Sequence, residues 1–199
     1  AAQSQVEATT IEPVDPNQGQ QLALALAGTF LLFMGIQYAA GVASGVVEEK
    51  QSRVVELLLA TIRPSQLLAG KIIGIGAAGL ITMIIIASVV GVVGAVTGLL
   101  TLPSVAGGAL ALVLVWYLIG FFQYAAVYAA LGSTVSRQEE LQTLIAPVVF
   151  LLIIPFVLVF NIVPNDPRNP IIAVMSFIPF LSQTVMPARF AMGAAPLVA

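Results

Sequence analysis

"EEKQSRVVELLLATIRPSQLLAGK", residues 48–71, carries four of the chain's seven basic residues (Lys50, Arg53, Arg63 and Lys71) and three of its nine acids (Glu48, Glu49 and Glu56). Each charge held at the centre of a bilayer costs roughly 2.5–3.5 kcal/mol on an insertion scale. The segment therefore cannot cross a membrane as one helix, and it divides the apolar sequence on either side of it. Upstream, no charge occurs between Asp15 and Glu48; downstream, none occurs between Lys71 and Arg137.

Those uncharged runs set the class. Of the 199 residues, 59% are hydrophobic and only 8% are charged, and the mean hydropathy is +1.05. A soluble domain carries roughly 25% charged residues, so this chain reads as an integral membrane protein. It has no Cys and no His, which excludes disulfides, thiol nucleophiles, Ser-His or Cys-His pairs and the usual zinc ligand sets. Residues 1–19 are polar and acidic (Glu7, Glu12, Asp15) without a basic residue, unlike a signal peptide. They read as the end of a segment that begins earlier, and the chain as a fragment.

The predicted fold is all-α, a polytopic transmembrane helical bundle. A span of about 20 residues or more fits 21–46. The run from 72 to 136 is too long for one crossing at about 1.5 Å per residue, and "TLPSVAGG" (101–108) is its strong breaker. This gives spans at 72–98 and 109–131. A fourth fits 143–162, between "SRQEE" and "NDPRNP". The tail from Pro170 is apolar but interrupted by Pro179, Pro187 and Pro196. Proline removes a helical hydrogen bond and clashes with the preceding turn, so the tail is expected as a broken, re-entrant hairpin, covered by protein or water. Five basic residues lie in 48–71 and 132–142, against Arg168 and Arg189 on the other side. The positive-inside rule then places those two segments in the cytoplasm and the N-terminal tail outside. Gly41/Gly45, Gly94/Gly98 and the group Gly74, Gly76, Gly79 are candidate close-packing surfaces between helices.

Within 48–63 the pattern is that of an amphipathic helix. At about 100° per residue, Val47, Val54, Val55, Leu57, Leu58 and Ile62 share one face, and Glu48, Glu49, Ser52, Arg53, Glu56 and Arg63 the other. Pro64 disfavours the helical region for Arg63, so the helix ends there and Ser65 begins the next. Leu59 falls on the charged face. An interfacial helix that orients the protein and a docking helix for a partner both fit, and Leu59 favours the second.

Motifs that could carry chemistry fail on context. "GIGAAG" (74–79) matches a dinucleotide-binding glycine pattern but lies inside an apolar span, with no preceding strand and no acid about 20 residues later. Gly70-Lys71 lacks the rest of a phosphate-binding loop. No cofactor, metal or catalytic residue is expected, and ATP dependence would have to come from a partner chain. Gln37, Tyr38, Gln123, Tyr124 and Tyr128 are the polar groups within spans. Gln37, Gln123 and Tyr124 are candidate translocation-path residues, with helix–helix hydrogen bonding the plainer alternative. The absence of mid-span charges weighs against a proton-coupled carrier, though a channel, a carrier without an ATPase and a membrane scaffold stay open.

The stretch from Gly45 to Leu80 resembles the permease subunits of type 2 ABC exporters, especially the NatB-like sodium-efflux group. The matching residues are Glu48, Glu49, Lys50, Arg53, Val54, Glu56, Leu58, Leu59, Pro64, Leu67, Leu68, Gly70, Lys71, Gly74, Gly79 and Leu80. "LGSTVSRQEELQTLIAPVV" is similar to that family's second cytoplasmic loop, and "SFIPFLSQTVMPARFAMG" to its proline-rich segment before the last helix. The resemblance covers about residues 20–199. It implies a membrane-spanning subunit of an ATP-driven exporter whose substrate is left open, with sodium ion among the candidates. The implied partners are an ATP-binding subunit, a second permease subunit and the lipid bilayer, with no nucleic acid. It makes the opening stretch a coupling helix, with Glu49, Arg53, Glu56, Leu59 and Arg63 as its partner-binding residues. It also implies an earlier helix and an extracytoplasmic domain before residue 1, whose end is the tail 1–19, and a last helix after residue 199.

Overall fold

The computed structural model describes residues 18–52, 62–98 and 106–194. Every regular element among them is helical, and four helical stretches are long and apolar enough to cross a membrane. The first is built from α1 (Gln18–Gln37) and α2 (Ala40–Gln51). Between them the ladder tightens. The N–H of Tyr38 donates to Gly35 O (3.3 Å), that of Ala39 to Ile36 O (2.9 Å), and that of Val42 to Ala39 O (3.0 Å). These three-residue steps mark a short 3₁₀ passage with no proline or glycine at Tyr38 or Ala39 to announce it.

The charges that open the segment 48–71 ride on the end of this first helix. Glu48, Glu49 and Lys50 belong to the last turn of α2, and Ser52 is extended (φ −92°, ψ 132°). This corrects the expectation of one continuous helix over 48–63: the faces read from the sequence are interrupted at Ser52. Residues 53–61, which include Arg53, Glu56 and Leu59, lie outside the described residues. The proline corner stands as expected. Arg63 is extended (φ −75°, ψ 143°), and Pro64 takes the first position of α3 (Pro64–Val96), one residue before the expected start. Proline suits that position because the N–H it lacks has no intrahelical partner there. The side chain of Gln66 reaches back to accept the Arg63 N–H at 3.1 Å.

After α3 the chain turns at Gly98, whose φ of +72° lies in the left-handed region that glycine adopts without penalty. Gly98 ends the helix and no described atom lies within 4 Å of a Cβ placed on it, while Gly94, its partner in the expected close-packing pair, is buried. Then come α4 (Ala106–Thr134) and α5 (Gln138–Ile162). The latter begins five residues before the expected span because Glu139 and Glu140 occupy its first turn, where the helix dipole favours acids. Pro147 and Pro155 lie within it. The tail is two short helices, α6 (Pro170–Met175) and α7 (Pro179–Ala191), joined by a turn. Pro170 and Pro179 sit at helix starts, while Pro187 is accommodated inside α7. The interruption therefore falls at Pro179 and not at Pro187.

The first span is central. α1 packs against α3, α4, α5 and α7, and α2 against α3, α4 and α5. Tyr117, Phe121, Tyr124 and Tyr128 recur along one side of α4 and are its largest fully buried side chains. Ring packing between Phe33 and Phe156, at a centroid distance of 4.3 Å, joins α1 to α5. A second cluster around Ala25, Val159, Val163, Ile172 and Val185 holds the tail hairpin against α1 and α5.

Candidate coupling corner and polar core

Two regions gather the polar residues of this apolar chain. The first is the corner where α2 ends, α3 begins and α4 turns into α5. Helix α2 approaches α3 through small residues: Gly41 faces Ile75, and the stem of Lys71 lies over Gly45. A Cβ on Gly45 would stand 3.0 Å from Lys71 Cδ and Cε. The close approach lets Lys71 Nζ meet Glu49 Oε1 at 2.6 Å, with the two side chains 14% and 29% exposed. On its other side α2 meets α4, where a Cβ on Gly132 would stand 2.8 Å from Ala43 O. Here Lys50 Nζ donates to the carbonyls of Gly132 and Val135, each at 3.2 Å, and to that of Ser133. Gln51 Nε2 donates to Ser136 O (3.0 Å), and Gln138 Nε2 donates back to Ser44 O (2.9 Å).

Of the residues expected to meet a partner, Glu49 is drawn into the ion pair with Lys71. Arg63 is exposed at the proline corner. Arg53, Glu56 and Leu59 lie outside the described residues. Glu49, Ile62, Gln66, Leu67 and Lys71 line an open groove between α2 and the first turns of α3.

The second region is the contact of α4 with the tail hairpin. Gln183 is 2% exposed and donates through Nε2 to Gln123 Oε1 (2.6 Å) and to Pro179 O (3.3 Å). Tyr124 Oη donates to Phe180 O at 3.0 Å. The Thr29 hydroxyl donates to Ala25 O (2.8 Å) and reaches Thr184 O (3.3 Å), tying α1 to α7. Arg189 closes the hairpin by donating to Ser176 Oγ (2.5 Å) and Ala194 O (3.1 Å). Gln183 Oε1 and Tyr128 Oη have no hydrogen-bond partner among the described residues. Of the candidate path residues, Gln123 and Tyr124 converge on α7, while Gln37 is half-buried at the end of α1 and shares no described hydrogen bond with them.

The family model for "ABC-2 family transporter protein" matches residues 1–199, the whole chain. The chain belongs to the ABC-2 transporter family. It is similar to the uncharacterized protein YhaP of Bacillus subtilis, at 33% identity over 186 residues, which is 87% of this chain and 44% of that protein. It is likewise similar to the uncharacterized protein MJ1024 of Methanocaldococcus jannaschii, at 30% identity over 179 residues, 88% of this chain and 42% of that protein. The chain thus spans less than half the length of these relatives. No solved structure matches it. Its spanning helices and its family make it a multi-pass membrane protein.

Sequence reasoning missed two features of this ABC-2 protein. The aromatic side of α4 was read only at Tyr124 and Tyr128. Tyr117, whose hydroxyl donates to Gly76 O at 2.7 Å, and Phe121 were absorbed in a run that is apolar all round. Gln183 was passed over in the proline-rich tail; the available signal was an amide side chain among aliphatics, where an unpaired polar group is costly.

Proposed function

We propose that this chain is the membrane-spanning core of an ATP-driven exporter, coupling ATP hydrolysis in a partner subunit to efflux, and that it works beside a second permease subunit. The observation that carries this reading is family membership combined with the polar corner at the α2–α3 and α4–α5 turns. Chemical work at a partner must enter a bilayer protein through its water-exposed ends, and this corner bonds residues of all four spanning helices. In this reading residues 48–71 and 132–142 face the cytoplasm and the N-terminal tail lies outside. The docking surface is formed by Glu49, Arg53, Glu56, Leu59 and Arg63. ATP binding closes the partner's dimer, the docking segment is carried with it, and the spans change their relative tilt.

Gln37, Gln123 and Tyr124 are proposed to line the path, and all are neutral. Sodium ion is the first cargo to test. Unchanged sodium retention in cells lacking the full-length protein would remove sodium and leave the exporter reading standing.

Leu59 gives the test of docking. An apolar anchor ringed by charge is the usual form of an interface hot spot, where truncation costs about 2 kcal/mol or more. In the full-length protein, Leu59→Glu is expected to preserve expression and insertion while reducing recovery of the ATPase subunit on affinity purification by at least about tenfold. Val54→Glu, on the opposite face of the sequence pattern, is expected to impair membrane seating instead. Wild-type recovery with Leu59→Glu would remove Leu59 from the docking surface.

A further inference from the structure

Adjacent residues at the end of α2 hold opposite neighbours. The Glu49 carboxylate turns to Lys71 on α3, while the Lys50 ammonium turns to the end of α4. An ammonium has three N–H donors and no acceptor, and Lys50 meets three carbonyls, those of Gly132, Ser133 and Val135. Helix ends leave their last carbonyls without intrahelical partners, and the dipole makes that end attractive to a cation. The bonds also run both ways. Gln51 donates to Ser136 O, and Gln138 donates to Ser44 O. At Gly132 the two backbones touch with no side chain between them. The start of α3, the end of α2 and the turn 135–137 are thereby bonded into one body. At the other end of the first span, α1 is fastened separately to α7 through Thr29 and Thr184. Between these two sets of bonds lies the 3₁₀ step at Tyr38–Ala39, which touches α3 through Tyr38 and Thr82.

We propose that Lys50 is a positioning residue, a pin that makes the end of α2, the start of α3 and the α4–α5 turn a single moving part pivoting at Tyr38–Ala39. The proposal rests on the exporter reading above and adds to it where the motion is divided. Lys50 is exposed at the end of α2, and its ammonium spends its three donors on carbonyls of its own chain. A push received at the end of α2 reaches α4 and the turn after it through Lys50, α5 through Gln138 and Ser44, and α3 through Glu49 and Lys71. A merely stabilising lysine would change how much protein survives purification; a pin changes which distances respond to nucleotide.

The test uses the full-length protein with its ATPase partner in lipid nanodiscs and spin labels at introduced cysteines, since the chain has none of its own. The pair Glu48→Cys/Glu139→Cys lies within the proposed body, and Gln18→Cys/Glu48→Cys spans the pivot. All three positions are exposed. With Lys50 in place, a non-hydrolysable ATP analogue is expected to shift the 18/48 distance and leave the 48/139 distance and its width unchanged. Lys50→Met is expected to retain partner recovery and the 18/48 shift, while the 48/139 distance shifts or broadens on nucleotide addition. Lys50→Arg, which keeps a multiple donor, is expected to restore the narrow distribution. If Lys50→Met does not accumulate, Lys50→Gln, with a shorter side chain and no charge, carries the same expectation. A 48/139 distance that moves with nucleotide in the unsubstituted protein, or stays narrow in Lys50→Met, overturns the pin. A complex in which neither pair responds to nucleotide overturns the exporter reading beneath it.

Discussion

Gly132 sets how closely α4 can approach α2, because the atoms a side chain would meet there, Ala43 O, Cα and C, are all backbone. Backbone cannot swing aside as a flexible side chain can, so Gly132→Ala forces the helices apart. Overpacking of this kind costs about 1–3 kcal/mol. A lowered thermal midpoint of the purified protein is expected, together with a weakened Lys50 contact. The tyrosines on α4 allow a sharper comparison. Tyr124 Oη donates across to α7, whereas Tyr128 Oη finds no partner among the described residues. Hydrogen bonds between membrane helices average about 0.6 kcal/mol and reach about 1.7, so Tyr124→Phe should lower the midpoint slightly. Removing an unpartnered buried hydroxyl is close to neutral, so Tyr128→Phe should leave it unchanged or raise it. Equal losses in the two variants would contradict this division of roles. Neither role could be read from the sequence. In a helix apolar on every side no periodicity distinguishes the buried face, and Tyr124 and Tyr128 look alike until α7 is placed.

The helices themselves were largely legible because charge and proline mark where they stop. The empty interval between Asp15 and Glu48, the Arg63–Pro64 corner and the 101–108 breaker each fall at or within a few residues of a structural boundary. Two boundaries were hidden. Ser52 ends α2 although the amphipathic pattern runs on past it, since the pattern of faces carries no signal for the extended backbone at a single serine. The 3₁₀ step at Tyr38–Ala39 carries no glycine or proline and is imposed by packing: a Cβ on Gly79 would lie 3.1 Å from Tyr38 Cβ, and the Tyr38 hydroxyl pairs with that of Thr82 at 3.0 Å. The tail was read correctly as broken, at Pro179. Its two helices, of 6 and 13 residues, are each shorter than the about 20 residues a crossing needs, so the hairpin should return to the side it left. Single cysteines at Ala173 and Ala191 are therefore expected to react with a membrane-impermeant thiol reagent on intact cells, and cysteines at Ser52 and Ser136 only after the membrane is opened. Labelling of Ala173 and Ala191 from opposite sides would refute the hairpin; labelling of Ser52 or Ser136 on intact cells would invert the orientation.

At the scale of the molecule, the arrangement joins a hydrogen-bonded polar corner to helices that meet through small residues and aromatic rings, with a neutral polar seam between α4 and the tail hairpin. The exporter reading proposed above assigns the use of ATP to a partner protein. That dependence is the central claim, and it can be measured without knowing the cargo. The full-length protein, tagged and purified from its native membranes in mild detergent, is expected to bring down an ATP-binding subunit, and the eluate to hydrolyse ATP. Hydrolysis should fall with partner recovery when Leu59→Glu is introduced. An eluate that holds the full-length protein in folded form but contains no ATP-binding chain and shows no ATP hydrolysis would contradict the exporter reading and return the protein to the channel, carrier or scaffold classes.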